Sequence, residues 1–147
     1  MHLLKSTVFL ILMLIYSTSG SANTELTGNW KETSSADTPS IVKLEPTPNG
    51  WSGKYIFVGE SQTHYGYKVG DEVIRGKFEG GKFKGQVAIR IPEPWASQCP
   101  SYRVRWKNIE MVLLNNNTLR GDWAFSSINM NCEESDQQRV EYELSRE

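Results

Sequence analysis

From residue 26 onward the chain alternates apolar and polar side chains with a period of two, punctuated by glycine, and shows no helical recurrence. The clearest stretch is VIRGKFEGGKFKGQVAI, residues 73–89. A two-residue turn at Gly80-Gly81, where positive φ is needed, sets Phe78 opposite Phe83, Gly76 opposite Gly85 and Ile74 opposite Val87. Those pairs share one face, while Lys77/Lys84, Glu79/Lys82 and Arg75/Gln86 share the other. One apolar and one solvated face is what an antiparallel sheet packed on one side requires.

A second hairpin is expected to turn at Asn49-Gly50, pairing Pro48 with Trp51, Leu44 with Tyr55 and Val42 with Phe57. Pro46 lacks an amide proton, so that strand lies partly at an edge or ends in a bulge. A third, longer hairpin runs over residues 102–125 and turns at Asn115, Asn116 and Asn117. Its first strand changes parity: Tyr102, Val104 and Trp106 are even, whereas Ile109, Met111 and Leu113 are odd. An extra residue near Lys107-Asn108 would restore one apolar face, the mark of a β-bulge. With strands at residues 26–32, around 63–69 and at the terminal QRVEYEL, the pattern predicts an all-β, up-and-down antiparallel meander of about eight strands. Closure into a small barrel removes exposed edges; an open β-sandwich is the alternative.

The first 22 residues depart from this pattern. One cation (Lys5), an apolar core over residues 8–16, and Gly20 and Ala22 three positions and one position before a cut read as a signal peptide, with the mature chain starting near Asn23. The apolar run falls short of the roughly 20 residues a spanning helix needs. The expectation is therefore an exported protein, secreted or periplasmic, with a single domain over residues 23–147 and no membrane attachment after cleavage. In an oxidising compartment Cys99 and Cys132 read as a disulfide. They lie 17 residues before and 16 after Asn116, so the bond would clamp the open end of the third hairpin. Asn116-Asn117-Thr118 is a glycosylation sequon that would be used only in a eukaryotic secretory route.

Charge excludes more than it suggests. Of 16 Lys and Arg, Lys5 lies in the leader, leaving 15 against 17 Asp and Glu, a net −2 with no global attraction for nucleic acid. Beyond the leader there is one histidine, His64, expected as a half-exposed strand residue. It has neither triad partners nor metal-ligand spacing around it. Glu93, Glu133, Glu134 and Asp136 lie in loops near the cysteines and leave a carboxylate-dependent hydrolase as a minor alternative. No catalytic residue, metal site or cofactor is expected.

The opening of the mature chain, LTGNW at residues 26–30, resembles the calycin superfamily of lipocalins and avidins, in which Leu-Thr-Gly-x-Trp opens the first barrel strand. GWSGKY at 50–55 and YRVRWKN at 102–108 are similar to avidin stretches. The resemblance covers about 35 residues and one later strand. It implies that Trp30 plugs the closed end and that Arg139 or Arg146 of the last strand stacks against it. Lys31 and Glu32 stand where avidins place a ligand-contacting asparagine, and residues 58–100 have no counterpart. Biotin binding is therefore carried to no residue.

Two binding modes follow. In the first, the barrel holds a small hydrophobic or aromatic ligand, lined by Tyr55, Phe57, Tyr67, Trp106 and Trp123, with the Pro-stiffened loop bearing Trp95 as a lid. In the second, the interior fills itself and the loops serve a protein partner, as in a periplasmic inhibitor or immunity protein. Trp95 would then anchor, and Arg103, Arg105 and Lys107 would form an outward basic stripe with Arg90 and Arg120.

Overall fold

The structure, a computed structural model, describes residues 25–33 and 38–147. The leader expected over residues 1–22 lies outside the described residues. Eight strands follow one another: β1 (Gly28–Glu32), β2 (Ile41–Thr47), β3 (Gly50–Phe57), β4 (Glu72–Glu79), β5 (Lys82–Arg90), β6 (Val104–Leu114), β7 (Thr118–Phe125) and β8 (Gln138–Arg146). Each pairs antiparallel with the next, and β8 returns to β1 through Trp30↔Arg146 and Glu32↔Leu144. The result is a closed barrel. The sandwich alternative is ruled out by that last pairing.

Side-chain parity then decides what the interior contains. Trp30, Val42, Leu44, Ile74, Phe83, Met111, Leu119 and Leu144 are buried and fill the half of the barrel nearer the start of β1. Close approach at its wall depends on glycine. A Cβ at Gly76 would lie 2.6 Å from the Gly85 Cα, and one at Gly85 would lie 2.1 Å from the Arg75 carbonyl oxygen.

The β4–β5 hairpin has the register expected from its sequence, with Ile74↔Val87, Gly76↔Gly85 and Phe78↔Phe83. The β2–β3 register differs by two residues: Thr47 pairs with Gly50, Pro46 with Trp51 and Val42 with Tyr55. The turn therefore falls on Pro48-Asn49, and Gly50 serves another purpose. It has φ 145°, and a Cβ there would meet the Gly76 carbonyl oxygen at 2.2 Å. A shift of two preserves the face of every side chain, so the apolar set stays inside. Pro46 lies past Leu44, the last β2 residue paired to β1, so its missing donor costs nothing on that side.

Two expectations about strands are corrected. Residues 60–64 form a short helix, α1 (Glu60–His64), and the segment expected as a strand around 63–69 is connection; His64 is exposed at the helix end. Nor is there a bulge at Lys107-Asn108, because β5 and β6 stay in uniform register from Lys82↔Val112 to Arg90↔Val104. The odd residues of β6 face inward throughout. The parity change reflects a change in what the interior holds, from Ile109 and Met111 to Arg105 and Lys107. A register shift does occur in β4, where Gly53↔Ile74 is followed by Lys54↔Glu72. The extra residue is Val73, and both Val73 and Ile74 are buried.

The two barrel ends differ. The tight turns at Pro48-Asn49, Gly80-Gly81 and Asn115–Asn117 all lie where β1 starts and β8 finishes. The longer connections, after β1, β3, β5 and β7, all lie at the opposite end. There α1 follows β3, and α2 (Trp95–Gln98) with a 3-10 turn (Pro100–Tyr102) follows β5. Cys99 and Cys132 form a disulfide with Cα atoms 5.5 Å apart, joining the connection after β5 to the one after β7. At the tight-turn end the Arg146 guanidinium stacks on Trp30, 4.4 Å from the ring centroid. The expected plug is therefore present, and Arg146 rather than Arg139 supplies the cation. Arg139 instead pairs with Asp122 on the outer surface.

Candidate functional site

Above the packed half, toward the long connections, the interior is not filled. An inner hollow of about 250 Å³ is lined by residues of six strands together with Gln62 of α1 and Tyr67. Its walls include Tyr55, Tyr67, Trp123 and Tyr142, with Val73, Val87 and Val140 between them. An outer hollow of about 440 Å³ adjoins it, sharing Gln62, Tyr67, Ile89 and Trp123 and opening among Tyr65, Trp95, Phe125 and Ile128. The rings of Tyr55 and Tyr67, and of Trp123 and Phe125, meet edge to face with centroids 5.5 Å apart in each pair.

Glu32 is the unusual member of the inner wall. The alternation that turns Trp30 inward also turns Glu32 inward, and its side chain is 2 % exposed. The hydroxyls of Tyr55 and Tyr142 both donate to Oε1, each at 2.8 Å. Oε2 accepts no hydrogen bond. Burial pushes the Glu32 carboxyl above its ordinary value, against the opposing effect of the Tyr55, Tyr142 and Ser40 hydroxyls. Burial and the neighbouring carboxylate in turn push the Tyr55 and Tyr142 phenols upward. Tyr67 donates to the Ala88 carbonyl at 2.8 Å and accepts from the Arg90 amide, and burial raises its phenol to about 12. Gln62 Oε1 is the second buried acceptor on this wall without a partner.

The rim is held by an ionic knot. Arg105 is 8 % exposed and donates to the Ser126 carbonyl at 2.9 Å and to Glu134 at 3.1 Å. Lys107 reaches the same Glu134 oxygen at 3.4 Å, and Ser126 donates to the other at 3.1 Å. Desolvation raises the Glu134 carboxyl, but Arg105, Ser126 and Lys107 outweigh it and hold it below the ordinary carboxylate value. This knot and the disulfide tie the connection after β7 across the mouth, with Gln98 Nε2 donating to the Met130 carbonyl beside them.

Of the side chains expected to line a ligand, Tyr55, Tyr67 and Trp123 surround the inner hollow and Trp95 the outer one. Phe57 and Trp106 do not join them. Trp106 is an even residue of β6 and so lies outside the barrel, under the Arg75 guanidinium at 3.9 Å. Phe57 sits at the end of β3, past the register shift at Ile41/Val42, and is 44 % exposed. The outward basic stripe is also corrected: Arg105 and Lys107 point into the mouth, and Arg103 lies before β6 beside Glu93 at 3.5 Å. Arg90 pairs with Asp71 at 3.0 Å. Glu32, Gln62 and Tyr142 were not anticipated. The signal for two of them was present, because Gly28-x-Trp30-x-Glu32 and Val140-x-Tyr142-x-Leu144 each put the polar group on the apolar face.

Among the carboxylates near the disulfide, Glu93 accepts from Ser97, Glu133 from Asn129, and Glu134 belongs to the knot. Among the described residues no group of three or more His, Cys, Asp or Glu side chains is arranged to hold a metal, and no helix is long and apolar enough to cross a membrane. Comparison of the chain with protein-family models, with curated proteins and with solved structures returns no match.

Proposed function

We propose that this is an exported, non-catalytic binding protein whose barrel takes a small, largely apolar or aromatic ligand through its long-loop end. The observation that carries this reading is the pair of adjoining aromatic-walled hollows above a plugged, packed base. The inner hollow alone is slightly below the roughly 300 Å³ at the lower end for ligand sites, while the outer one lies within that range. A ligand occupying both has a narrow deep end and a wider mouth. The disulfide supports export to an oxidising compartment. The eight-stranded up-and-down closure with the Trp30–Arg146 stack supports a place for the chain close to the calycins.

The alternative of a protein-binding inhibitor or immunity protein has less support. Arg103, Arg105 and Lys107 are each engaged with acids of the same chain, and Trp95 is half-buried against the outer hollow. The test is titration of the mature protein with the neutral apolar fluorophore N-phenyl-1-naphthylamine. Saturable one-to-one uptake is expected, and it should be abolished in Val140→Trp, which fills the inner hollow. Absence of saturable uptake by the wild-type protein overturns the reading.

A further inference from the structure

We propose that the inner hollow receives the protonated amine of a small organic cation, met by Glu32 and Gln62 and walled by Tyr55, Tyr67, Trp123 and Tyr142. This rests on reading the barrel as a small-ligand site and names the chemistry of the ligand's deep end.

The argument begins with which hydrogen-bonding capacity the hollow lacks. Its three tyrosine hydroxyls are committed as donors: Tyr55 and Tyr142 to Glu32 Oε1, and Tyr67 to the Ala88 carbonyl. Beside the Ser40 hydroxyl that also faces Glu32, the two groups left unmatched are Glu32 Oε2 and Gln62 Oε1, both acceptors once Glu32 is ionised, the form an ammonium partner favours. Buried polar groups without partners are rare in folded proteins and point to something that completes them. What completes two acceptors is a donor with more than one N–H. An ammonium has three and no lone pair to satisfy.

Charge points the same way. None of the side chains lining the inner hollow is Lys, Arg or His, whereas Glu32 is acidic and buried. Glu141 also borders it but is exposed and answered by Arg120. The cations nearest the route in are already neutralised, Arg90 by Asp71 and Arg105 by Glu134. Aromatic faces around a desolvated site further favour a cation over a neutral isostere. A carboxylate ligand would face Glu32 with no compensating positive charge. Gln62, carried on α1 and bordering both hollows, is the side chain whose rotation would admit the amine, leaving the hydrophobic body among Trp95, Trp123 and Phe125.

The experiment compares three probes of one shape by calorimetry at neutral pH: 2-phenylethylamine, 2-phenylethanol and 3-phenylpropanoate. The amine is expected to bind about tenfold or more tightly than the alcohol, the margin a charge-assisted hydrogen bond provides, with the propanoate weakest. Glu32→Gln should bring amine and alcohol to within about threefold of each other. Because that variant alters a buried position, Gln62→Leu on the exposed-end helix provides a second arm and should narrow the preference while retaining the wild-type melting temperature. Equal binding of amine and alcohol, or an amine preference that survives in both variants, overturns the assignment. If the naphthylamine fluorophore still binds in that case, the small-ligand reading stands and only the amine is lost. If no probe binds, both fall.

Discussion

The Arg146 guanidinium lies 4.4 Å over the ring of Trp30, and backbone carbonyls fix both partners in place. Trp30 Nε1 donates to the Leu26 carbonyl at 2.8 Å, while Arg146 donates to the carbonyls of Thr27, Glu25 and Asn116 at 3.0, 2.6 and 3.1 Å. The last strand is thereby fastened to the first and to the turn between β6 and β7 at one point. Arg146→Ala removes the stacking and the charge-assisted bonds together and is expected to cost about 2–3 kcal/mol, read as the midpoint of urea unfolding. An unchanged midpoint would show that the plug is held by Trp30 burial alone.

Reducing the Cys99–Cys132 bond, or replacing both residues with serine, should remove about 3–4 kcal/mol by the chain-entropy relation. For a domain of this size that corresponds to a fall in Tm of about 10 °C. Calorimetric scans with and without reductant measure it. Because the bond spans the mouth, uptake of the fluorophore should weaken as well. Loss of stability with full retention of uptake would separate the clamp from the site.

Glu32 gives the stability curve a slope of known sign. Its carboxyl is raised in the folded state, so the folded chain holds a proton that the unfolded chain has released between the ordinary value of 4.5 and the raised one. Through that window stability falls as pH rises. Glu32→Gln is neutral throughout and loses this slope, while Ser40, Tyr55 and Tyr142, which face it from β2's approach, β3 and β8, stay protonated. The expected result is a stability difference between variant and wild type that moves in favour of the variant as pH is raised through and above the carboxylate range. Denaturation midpoints over pH 4–8 test it, and parallel curves would show that folding leaves the Glu32 carboxyl unshifted.

Trp106→Ala separates the two faces of β6. It removes the outer contact with Arg75, worth about 1 kcal/mol at a half-exposed site, and should leave uptake of any ligand unchanged. Trp123→Ala, on β7 opposite Ile109 and facing the inner hollow, should reduce uptake strongly. Equal loss in both would mean that the mouth is reshaped from outside.

Gly85→Ala should cost about 3 kcal/mol, since its Cβ would lie 2.1 Å from the Arg75 carbonyl oxygen and backbone must move to admit it. Thermal unfolding checks the size of the effect, and a neutral substitution would mean that β4 and β5 separate more readily than their pairing implies.

Where sequence periodicity and turn chemistry agreed, as over residues 73–89, every pairing was legible. Where a loop rather than a ladder decided the conformation, as at residues 60–69, the alternation of Thr63, Tyr65 and Tyr67 imitated a strand that the chain does not form. The parity change in β6 was legible but open to a second explanation. An apolar face becoming basic looks identical, in one dimension, to a face that has slipped by one residue. Only the β5 partners distinguish them, since Val87↔Lys107 and Ile89↔Arg105 continue the register without a break. Glu32 was overlooked for the opposite reason: a charged residue next to a lysine reads as solvated surface until barrel closure turns it inward. Tyr55, Tyr67 and Trp123 were within reach because aromatic residues on an inward parity have few other places to go.

The placement of every tight turn at one end and every long connection at the other has an evolutionary consequence. The connections themselves contribute little to the core, although Tyr55, Val73 and Val87 on the strands serve both the core and the inner hollow. Insertions, deletions and recombination in the connections after β3, β5 and β7 can therefore alter what enters the barrel while the nucleus of the domain keeps its sequence. The disulfide is the exception: two of those connections must change together, or keep their cysteines while everything around them drifts.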